Sequence, residues 1–452
     1  MQKLFLIFIF IPFLAIGQVK DRYNYIQKPT ANSVTVAWRT STPGTSTIKW
    51  GIDSLYLTDS IVSQNSIRKH VFEVTGLSPN TKYYYQTETI GFFQSEIDYF
   101  FTSKENSMNH FSFLHYGDCG YNNTIQNDIA DLMEKEDTDF GIVAGDVDQG
   151  NGDNYDKVFF GVYKDLLKNS CHFTCIGNHD TYVDDAKTYL DDFYLPNNNP
   201  QNSERYYSYT WGNAKFICLD SNIPYTEGTD QYNWLLEQLK CNDKQWLFTF
   251  FHHPPWTNAW SADYNLPFFE YFRYKGNEDM RSSLVPLFEK YEVDFVLNGH
   301  SHCYQRGEMN GVKYIISGGA GSSKLDKKRH SESPNIDTEI YTNQYVRFDV
   351  KGDTVTYIAI DREGDIIDSV ETIKTNPNSK SYITQIEGNL ECNLIGEYQW
   401  FLNGIEIKNE NGASYIINEE GNYQVSGLNK FGCRITSETL KVKLKTEDMK
   451  TD

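Results

Sequence analysis

The stretch DFVLNGHSH at residues 294–302 is a short apolar run that ends in glycine and two histidines. Short apolar runs bounded in this way are typical of buried strands. Four earlier apolar runs also end in small polar clusters. These clusters are Gly117-Asp118-Cys119-Gly120, Gly145-Asp146, Gly177-Asn178-His179-Asp180 and His252-His253-Pro254. A single cluster of this kind occurs by chance in many chains, but five in succession indicate a common site.

From about His110 to Thr372 the chain alternates between apolar runs and helical segments. The predicted strands are Phe111–Tyr116, Phe140–Ala144, His172–Ile176, Lys215–Leu219, Trp246–Phe251 and Asp294–Leu297. The predicted helices are Ile125–Glu136, Tyr232–Lys240 and Arg281–Tyr291. This alternation predicts an α/β domain with largely parallel central strands. Ligands of such sheets bind beyond the carboxyl ends of the strands, which is where the polar clusters lie.

The clusters supply a complete set of metal ligands. Loops at one edge of a parallel sheet converge, so six side chains can face one place. They are Asp118, Asp146, Asn178, His252, His300 and His302. Three imidazoles, two carboxylates and an amide oxygen exceed what one tetrahedral ion needs, and a bridging carboxylate suits two ions. Because thiolates are missing from the set, Zn, Mn or Fe is favoured.

Both flanks of the α/β region have the patterns of β-domains. Residues 18–104 include the alternating stretch VTVAW at 34–38 and the turn and Tyr-rich strand GLSPNTKYYY at 76–85. This part resembles a fibronectin type III sandwich. Residues 381–446 resemble a bacterial immunoglobulin-like domain, and residues 373–380 are predicted to be a linker.

The first residues of the chain indicate the compartment, and the net charge restricts the classes of partner. Residues 1–17 combine Lys3, a short apolar run and small residues before Gln18, the pattern of a signal peptide. We therefore expect a secreted or periplasmic protein without a transmembrane segment. Of the eight cysteines, Cys392 and Cys433 are predicted to pair. The formal net charge of −20 argues against binding to nucleic acid.

The polar clusters, together with FICLDS at 216–221 and WLL at 234–236, resemble the calcineurin-like metallophosphoesterases. The fibronectin-like domain before them narrows the resemblance to the purple acid phosphatase group. It covers roughly residues 25–370 and implies a β-sandwich flanked by helices between the two terminal β-sandwiches. It also implies two metal sites. Site one would consist of Asp118, Asp146 and His302, and site two of Asp146, Asn178, His252 and His300.

The chain departs from this family in two places. Gln149 stands at the position where the family has the tyrosine that binds ferric iron, which argues against tyrosinate-bound ferric iron. Extra histidines that plant members carry are missing between Pro254 and Gly299. We therefore expect His179 to donate the leaving-group proton, with Asp180 orienting it. His253 and Arg306 are candidate phosphate contacts, although His253 could serve packing and Arg306 could pair with an acid.

The resemblance implies a phosphatase that hydrolyses monoesters of small or extracellular molecules. The expected attack is by hydroxide held between two divalent ions. A phosphodiesterase or nucleotidase with the same site is an alternative. An alternative of another class is a non-catalytic adhesin, whose last domain would contact a cell surface or glycan. The complete set of six ligands argues against a decayed site.

Overall fold

The computed structural model describes residues 22–105, 108–260, 275–329, 331, 333–374 and 383–444. The predicted signal peptide lies outside this range. Positions 375–380 of the predicted linker also lie outside it, as do positions 261–274.

The amino-terminal part is built from strands alone, as its alternating pattern predicts. They are β1 (Arg22–Gln27), β2 (Ser33–Gly51), β3 (Asp59–Thr75), β4 (Lys82–Thr89), β5 (Phe93–Gln94) and β6 (Asp98–Phe101). The long β2 pairs with β1, β3 and β4, all antiparallel. Trp38 stacks on Phe72 at 5.3 Å between ring centroids and is fully buried. The assignment as a fibronectin type III domain stays a prediction.

The central part alternates strands with short helices. Its strands are β7 (His110–Tyr116), β8 (Phe140–Val143), β9 (Cys171–Thr174), β10 (Tyr207–Trp211), β11 (Ala214–Cys218), β12 (Trp246–Phe250), β13 (Ala259–Trp260), β14 (Phe295–Asn298), β15 (Tyr304–Met309), β16 (Val312–Ser317), β17 (Lys327–Lys328), β18 (Thr338–Ile340), β19 (Gln344–Lys351), β20 (Thr354–Asp361) and β21 (Ile366–Ile373). Its α-helices are α1 (Thr124–Met133), α2 (Lys164–Leu167), α3 (Lys187–Asp192), α4 (Asp230–Lys240), α5 (Glu278–Ser283) and α6 (Val285–Lys290). A single π-turn spans Asp156–Phe160, and a 3-10 turn spans His179–Thr181. Within the described ranges, we find no helix with both the length and the apolar character needed to cross a bilayer.

Two sheets pack face to face in the central part. This confirms the predicted α/β fold, a β-sandwich flanked by helices. One has the order β21-β20-β19-β7-β8-β9 and continues through β1 into the amino-terminal strands. The other has the order β10-β11-β12-β14-β16-β15-β18. Aromatic rings fill the space between them, with Phe113 of the first sheet 5.4 Å from Phe216 and 5.5 Å from Phe248 of the second. Strands β7-β8-β9 and β11-β12-β14-β16 run parallel.

The prediction of one continuous helix over Arg281–Tyr291 is wrong. The structure has two helices, α5 and α6, which meet at Leu284. Pro286 lies in the first turn of α6, where its missing N–H costs nothing. In the interior of one continuous helix the same proline would remove a hydrogen bond and clash with the preceding turn.

The last part forms two small sheets. Its strands are β22 (Ile383–Ile386), β23 (Asn389–Cys392), β24 (Gln399–Leu402), β25 (Ile405–Glu406), β26 (Ser414–Ile416), β27 (Gly421–Leu428), β28 (Arg434–Thr436) and β29 (Leu440–Val442). Strands β22, β23 and β26 form one sheet and the other five form the second. Trp400 and Tyr415 pack between the two sheets with their ring centroids 5.8 Å apart. This agrees with a β-sandwich, whereas the finer immunoglobulin-like assignment stays a prediction.

A disulfide joins this last part to the central part, and it is not the predicted one. Cys433 bonds to Cys241, with Cα atoms 5.2 Å apart, whereas Cys392 is free. Cys433 lies in the turn between β27 and β28, which faces the end of α4. In the same turn, Asn429 Nδ2 donates to the carbonyl of Lys240 at 2.7 Å. The predicted pairing of Cys392 with Cys433 fails because this turn points out of its own domain.

Phe431 and Lys430 of the same turn extend the contact. The ring of Phe431 lies 4.9 Å from that of Tyr291, and Lys430 forms an ion pair with Glu292. Cys241 precedes β12, and Tyr291 and Glu292 precede β14. The last part of the chain therefore packs where these parallel strands begin, and we call this contact the docking edge.

Candidate metal centre

Five loops position the predicted ligands, and each follows the carboxyl end of a strand. Asp118 follows β7, Asp146 follows β8 and Asn178 follows β9 in the first sheet. His252 follows β12, and the GHSH segment follows β14, in the second sheet. We call these five loops the carboxyl edge. The short distances between their side chains, given below, show that the five loops converge.

The backbone bends sharply to bring the ligands together. Asp118, Asp146 and His300 have φ angles of 55°, 51° and 67°, in the left-handed region that side chains other than glycine rarely adopt. Such strain persists at functional sites where the surroundings fix it. Gly177 lets the Asn178 loop approach the Asp146 loop closely, because a Cβ at position 177 would lie 2.1 Å from the backbone nitrogen of Asp146.

The first group of ligands surrounds Asp118. His302 Nε2 lies 3.5 Å from Asp118 Oδ1, and the His300 backbone N–H donates to Asp118 Oδ2 at 2.7 Å. Gln149 Nε2 lies 3.3 Å from Asp118 Oδ1 and 3.2 Å from Asp146 Oδ2. The side chain at position 149 therefore faces the two carboxylates that are predicted to belong to site one.

The second group surrounds His252. Its Nε2 atom lies 3.4 Å from Asp146 Oδ2, 3.1 Å from Asn178 Oδ1 and 3.1 Å from His300 Nδ1. Asn178 Oδ1 is also 3.1 Å from His300 Nδ1. Asp146 thus belongs to both groups, which is the position that a bridging carboxylate requires.

Backbone carbonyls orient two of the imidazoles. His252 Nδ1 lies 2.8 Å from the carbonyl oxygen of Ala144, and His302 Nδ1 lies 3.1 Å from that of Lys324. An N–H at Nδ1 donates to each carbonyl, which leaves Nε2 of both rings directed at the carboxylates. Metal-ligating histidines are commonly oriented in this way.

The charges of the predicted ligands balance one another. Burial opposes the charge of Asp146, but the attraction of His252 outweighs it and lowers the carboxyl pKa to about 2. Burial also opposes the imidazolium of His252 and of His302. Asp146 raises the pKa of His252 to about 9, and Asp118 raises that of His302 to about 9. Protons on these two rings therefore supply positive charge that a cation would replace.

This donor set fits two divalent ions. Ligand atoms of Asp118, Asp146 and His252 all lie within 4.8 Å of one another, and so do those of His252, His253 and His300. These two sets of three side chains have His252 in common, and every donor atom in them is a nitrogen or an oxygen. Buried carboxylates that lie this close together need a positive charge between them.

His179 lies beside the ligands, as predicted, but Asp180 does not orient it. The His179 backbone N–H donates to Asp146 Oδ1 at 2.9 Å, and its Nδ1 lies 3.2 Å from the carbonyl oxygen of Gly150. Asp180 is buried and accepts the N–H groups of Gly177 at 2.8 Å and Asp148 at 3.1 Å. Asp180 therefore ties the Asp146 loop to the Asn178 loop, which corrects its interpretation as the partner of His179.

Of the two residues predicted to contact phosphate, His253 lies at the centre, whereas Arg306 pairs with an acid. His253 lies at the centre, with its ring 4.5 Å from that of His300 and its Nδ1 atom 2.8 Å from Ser221 Oγ. Arg306 instead pairs with Asp368, with Nε 2.5 Å from Oδ2. The prediction that Arg306 contacts phosphate is corrected, because its guanidinium is already neutralised by an acid on β21.

Ser221 and Tyr182 contact this centre, although neither is among the predicted site residues. Ser221 hydrogen-bonds His253, and the Tyr182 hydroxyl accepts from Asn178 Nδ2 at 2.8 Å. Ser221 ends the quoted FICLDS stretch. Tyr182 lies four residues after Asn178, a spacing that one helical turn brings together. Both positions are therefore recognisable in the sequence as neighbours of a predicted site residue.

Comparison with known families agrees with this geometry. Residues 111–304 match the family model described as Calcineurin-like phosphoesterase. This segment is a calcineurin-like phosphoesterase domain. It contains all six predicted ligands.

The relatives of this chain include purple acid phosphatases. The chain is 27% identical over 323 residues to Purple acid phosphatase 15 of Arabidopsis thaliana, which is 62% of this chain and 58% of that relative. It is 26% identical over 356 residues to Purple acid phosphatase 23 of the same plant, 68% of this chain and 71% of that relative. A purple acid phosphatase from yellow lupin (Lupinus luteus) seeds has the same fold, with a TM-score of 0.66 at 16% identity over 81% of this chain and 78% of the lupin chain. The predicted resemblance to the purple acid phosphatases is confirmed.

Proposed function

We propose that the protein hydrolyses phosphate monoesters with two divalent metal ions. The observation that carries this proposal is the convergence of six ligand side chains from five loops of the carboxyl edge. Site one would comprise Asp118, Asp146 and His302, and site two Asp146, Asn178, His252 and His300. When bound, the ions supply the charge that neutralises phosphate oxygens and activates water.

The side chains of this chain position the ester and supply a proton. Asp146 holds the two sites together, since it contacts Gln149 on one side and His252 on the other. His179 is fixed by its backbone bond to Asp146 and lies at the rim of the centre. As the bond from phosphorus to the ester oxygen breaks, His179 would donate a ring proton to that oxygen, which leaves as an alcohol. A water oxygen would bond to phosphorus on the face opposite the departing oxygen, and the proton that this water loses would pass to the solvent.

His253 is proposed to contact the phosphate. Burial and the neighbouring His252 lower the pKa of His253 to about 3, so the ring is neutral. Ser221 Oγ lies 2.8 Å from His253 Nδ1, and the same oxygen accepts the His253 backbone N–H at 3.3 Å. A hydroxyl that donates to Nδ1 would leave an N–H on the far nitrogen of the ring. This N–H suits a phosphate oxygen.

Several broader features belong to the same proposal. The bond between Cys241 and Cys433 supports export to an oxidising compartment, secreted or periplasmic. We propose domain boundaries at 18–104, 105–372 and 381–446, with 373–380 as linker. Contact of the last domain with a cell surface or glycan stays a prediction.

A substrate panel tests this function. Purified protein is assayed with a phosphate monoester, the matching diester and a nucleotide, with and without a chelator. We expect metal-dependent hydrolysis with the monoester at least about tenfold faster than the diester. A faster diester would favour the phosphodiesterase alternative. Bound metal without any hydrolysis would favour the binding protein.

A further inference from the structure

Tyr182 presents an aromatic surface beside the candidate proton donor. It follows the 3-10 turn His179–Thr181, and 58% of its surface is exposed. Two contacts nevertheless fix it. Its hydroxyl accepts from Asn178 Nδ2 at 2.8 Å, and its ring lies 4.7 Å from the ring of His179. An exposed tyrosine held in this way costs little entropy when a ligand covers it.

Two further rings border the same centre. Trp260 lies with its ring 5.4 Å from that of His300, and Tyr121 with its ring 6.5 Å from that of His302. Tyr121 is also anchored, because its hydroxyl lies 3.2 Å from Ser322 Oγ, and that oxygen lies 2.9 Å from His302 Nδ1. We call Tyr121, Tyr182 and Trp260 the aromatic rim. Each ring contacts a different histidine and comes from a different loop.

The position of Tyr182 within the rim relates it to one part of the substrate. A group that protonates the ester oxygen must lie on the side from which the leaving group departs. His179 is the candidate for that role, and Tyr182 contacts His179 directly. A leaving group that receives its proton from His179 would therefore depart past the ring of Tyr182.

We propose that Tyr182 is a specificity-determining residue, which forms the wall of a leaving-group site for phosphate esters with a planar aromatic leaving group. This rests on the proposed phosphatase function. An aromatic pair contributes roughly 0.5–1.5 kcal/mol beyond the area it buries, whereas an aliphatic leaving group gains only contact area. The shared chemistry is a flat unsaturated ring, either bonded to the ester oxygen or placed one sugar away from it.

The test compares three monoesters in four proteins. Phenyl phosphate carries its ring on the ester oxygen, adenosine 5′-monophosphate carries it beyond a ribose, and glycerol 1-phosphate has no ring. The proteins are wild type, Tyr182→Ala, Tyr182→Phe and Tyr56→Ala. Tyr56 is the matched control, because it is 70% exposed and lies in the amino-terminal part, away from the carboxyl edge.

The readout is kcat/KM for each ring-bearing ester divided by kcat/KM for glycerol 1-phosphate. This ratio cancels any loss common to all substrates, such as that caused by removing the hydrogen bond to Asn178. In Tyr182→Ala we expect at least one of the two ratios to fall about threefold to tenfold. Tyr182→Phe and Tyr56→Ala keep both ratios within about twofold of wild type.

The outcome also locates the ring. A fall for phenyl phosphate alone supports contact at the ester oxygen, and a fall for the nucleotide alone supports contact beyond the sugar. Unchanged ratios in Tyr182→Ala, with all three esters hydrolysed by wild type, would overturn the specificity role and leave the phosphatase function intact. Failure of wild type to hydrolyse any of the three would overturn the phosphatase function, and this proposal with it.

Discussion

The two ends of the central parallel strands differ in what holds them. At the carboxyl edge, polar groups from five loops are joined by short contacts, and three ligands have left-handed backbone angles. At the docking edge the last part of the chain is held by a disulfide, a hydrogen bond, an aromatic contact and an exposed ion pair. One end is fixed by many interdependent polar contacts, and the other by a few separable ones. Changes at the first should therefore abolish chemistry, whereas changes at the second should loosen a domain.

The largest expected effect is at Asp146. Asp146→Ala should reduce hydrolysis to less than about 1% of wild type, because the carboxylate shared by both sites is lost. The matched control is Asp243→Ala, which removes a carboxylate near the docking edge that pairs with Lys244 and should retain full activity. Hydrolysis is measured for both variants, and their folding is checked by circular dichroism. More than about a tenth of the wild-type rate in Asp146→Ala would exclude the bridging role.

Proton release on metal binding is the next effect. The raised pKa values of His252 and His302, about 9, favour the imidazolium forms below that pH. A metal must displace these protons, so its affinity should fall as the pH falls. At pH 7.5 we expect about two protons released as both sites fill. Calorimetry in buffers of different ionisation enthalpy measures this number, and His302→Gln should lower it by about one. A heat independent of buffer would contradict the pKa values.

Gln149 allows a spectroscopic test of site one. Its amide lies close to both Asp118 and Asp146, so position 149 reaches the metal. An amide lacks the phenolate that gives charge transfer to ferric iron, so the wild-type protein should be colourless with iron bound. Gln149→Tyr should acquire a visible absorption band, and Gln149→Phe, of the same shape without the hydroxyl, should not. A visible band in the wild-type protein would show that another tyrosine binds the metal.

The smallest effect on activity is expected at the docking edge. Cys433→Ser breaks the link to Cys241 but touches no ligand, so kcat/KM should stay within about twofold of wild type. Thermal unfolding should show a lower midpoint, because a disulfide contributes about 2–4 kcal/mol to stability. Cys392→Ser should change neither quantity, since Cys392 is free. A collapse of kcat in Cys433→Ser with its metal retained would show that docking supports the site.

The carboxyl edge could be predicted from the sequence because its signal repeats. Each ligand follows an apolar strand, and parallel strands bring their carboxyl ends together, so order along the chain translates into proximity. The predicted strand Trp246–Phe251 contains the observed β12, and Ile125–Glu136 overlaps α1. The backbone strain at His300 and the contact of Tyr182 with Asn178 depend on loop conformation, which the pattern does not specify.

The docking edge could not be predicted because its contacts are single and distant in sequence. Cys241 and Cys433 are separated by 192 residues, and nothing near either cysteine distinguishes its partner. The partner of Arg306 is hidden in the same way. Asp368 lies on β21, which has no pattern that relates it to β15. Such pairs depend on how helices and strands pack against one another, rather than on the periodicity within one helix or strand.

The most direct test of the account is a metal titration of the metal-free protein with activity followed at each step. The central claim is that the carboxyl edge binds two ions that share Asp146. We therefore expect binding to saturate at two ions per chain, and hydrolysis of a monoester to develop fully only as the second ion binds. Saturation at one ion with full activity, or activity without any ion, would contradict the account.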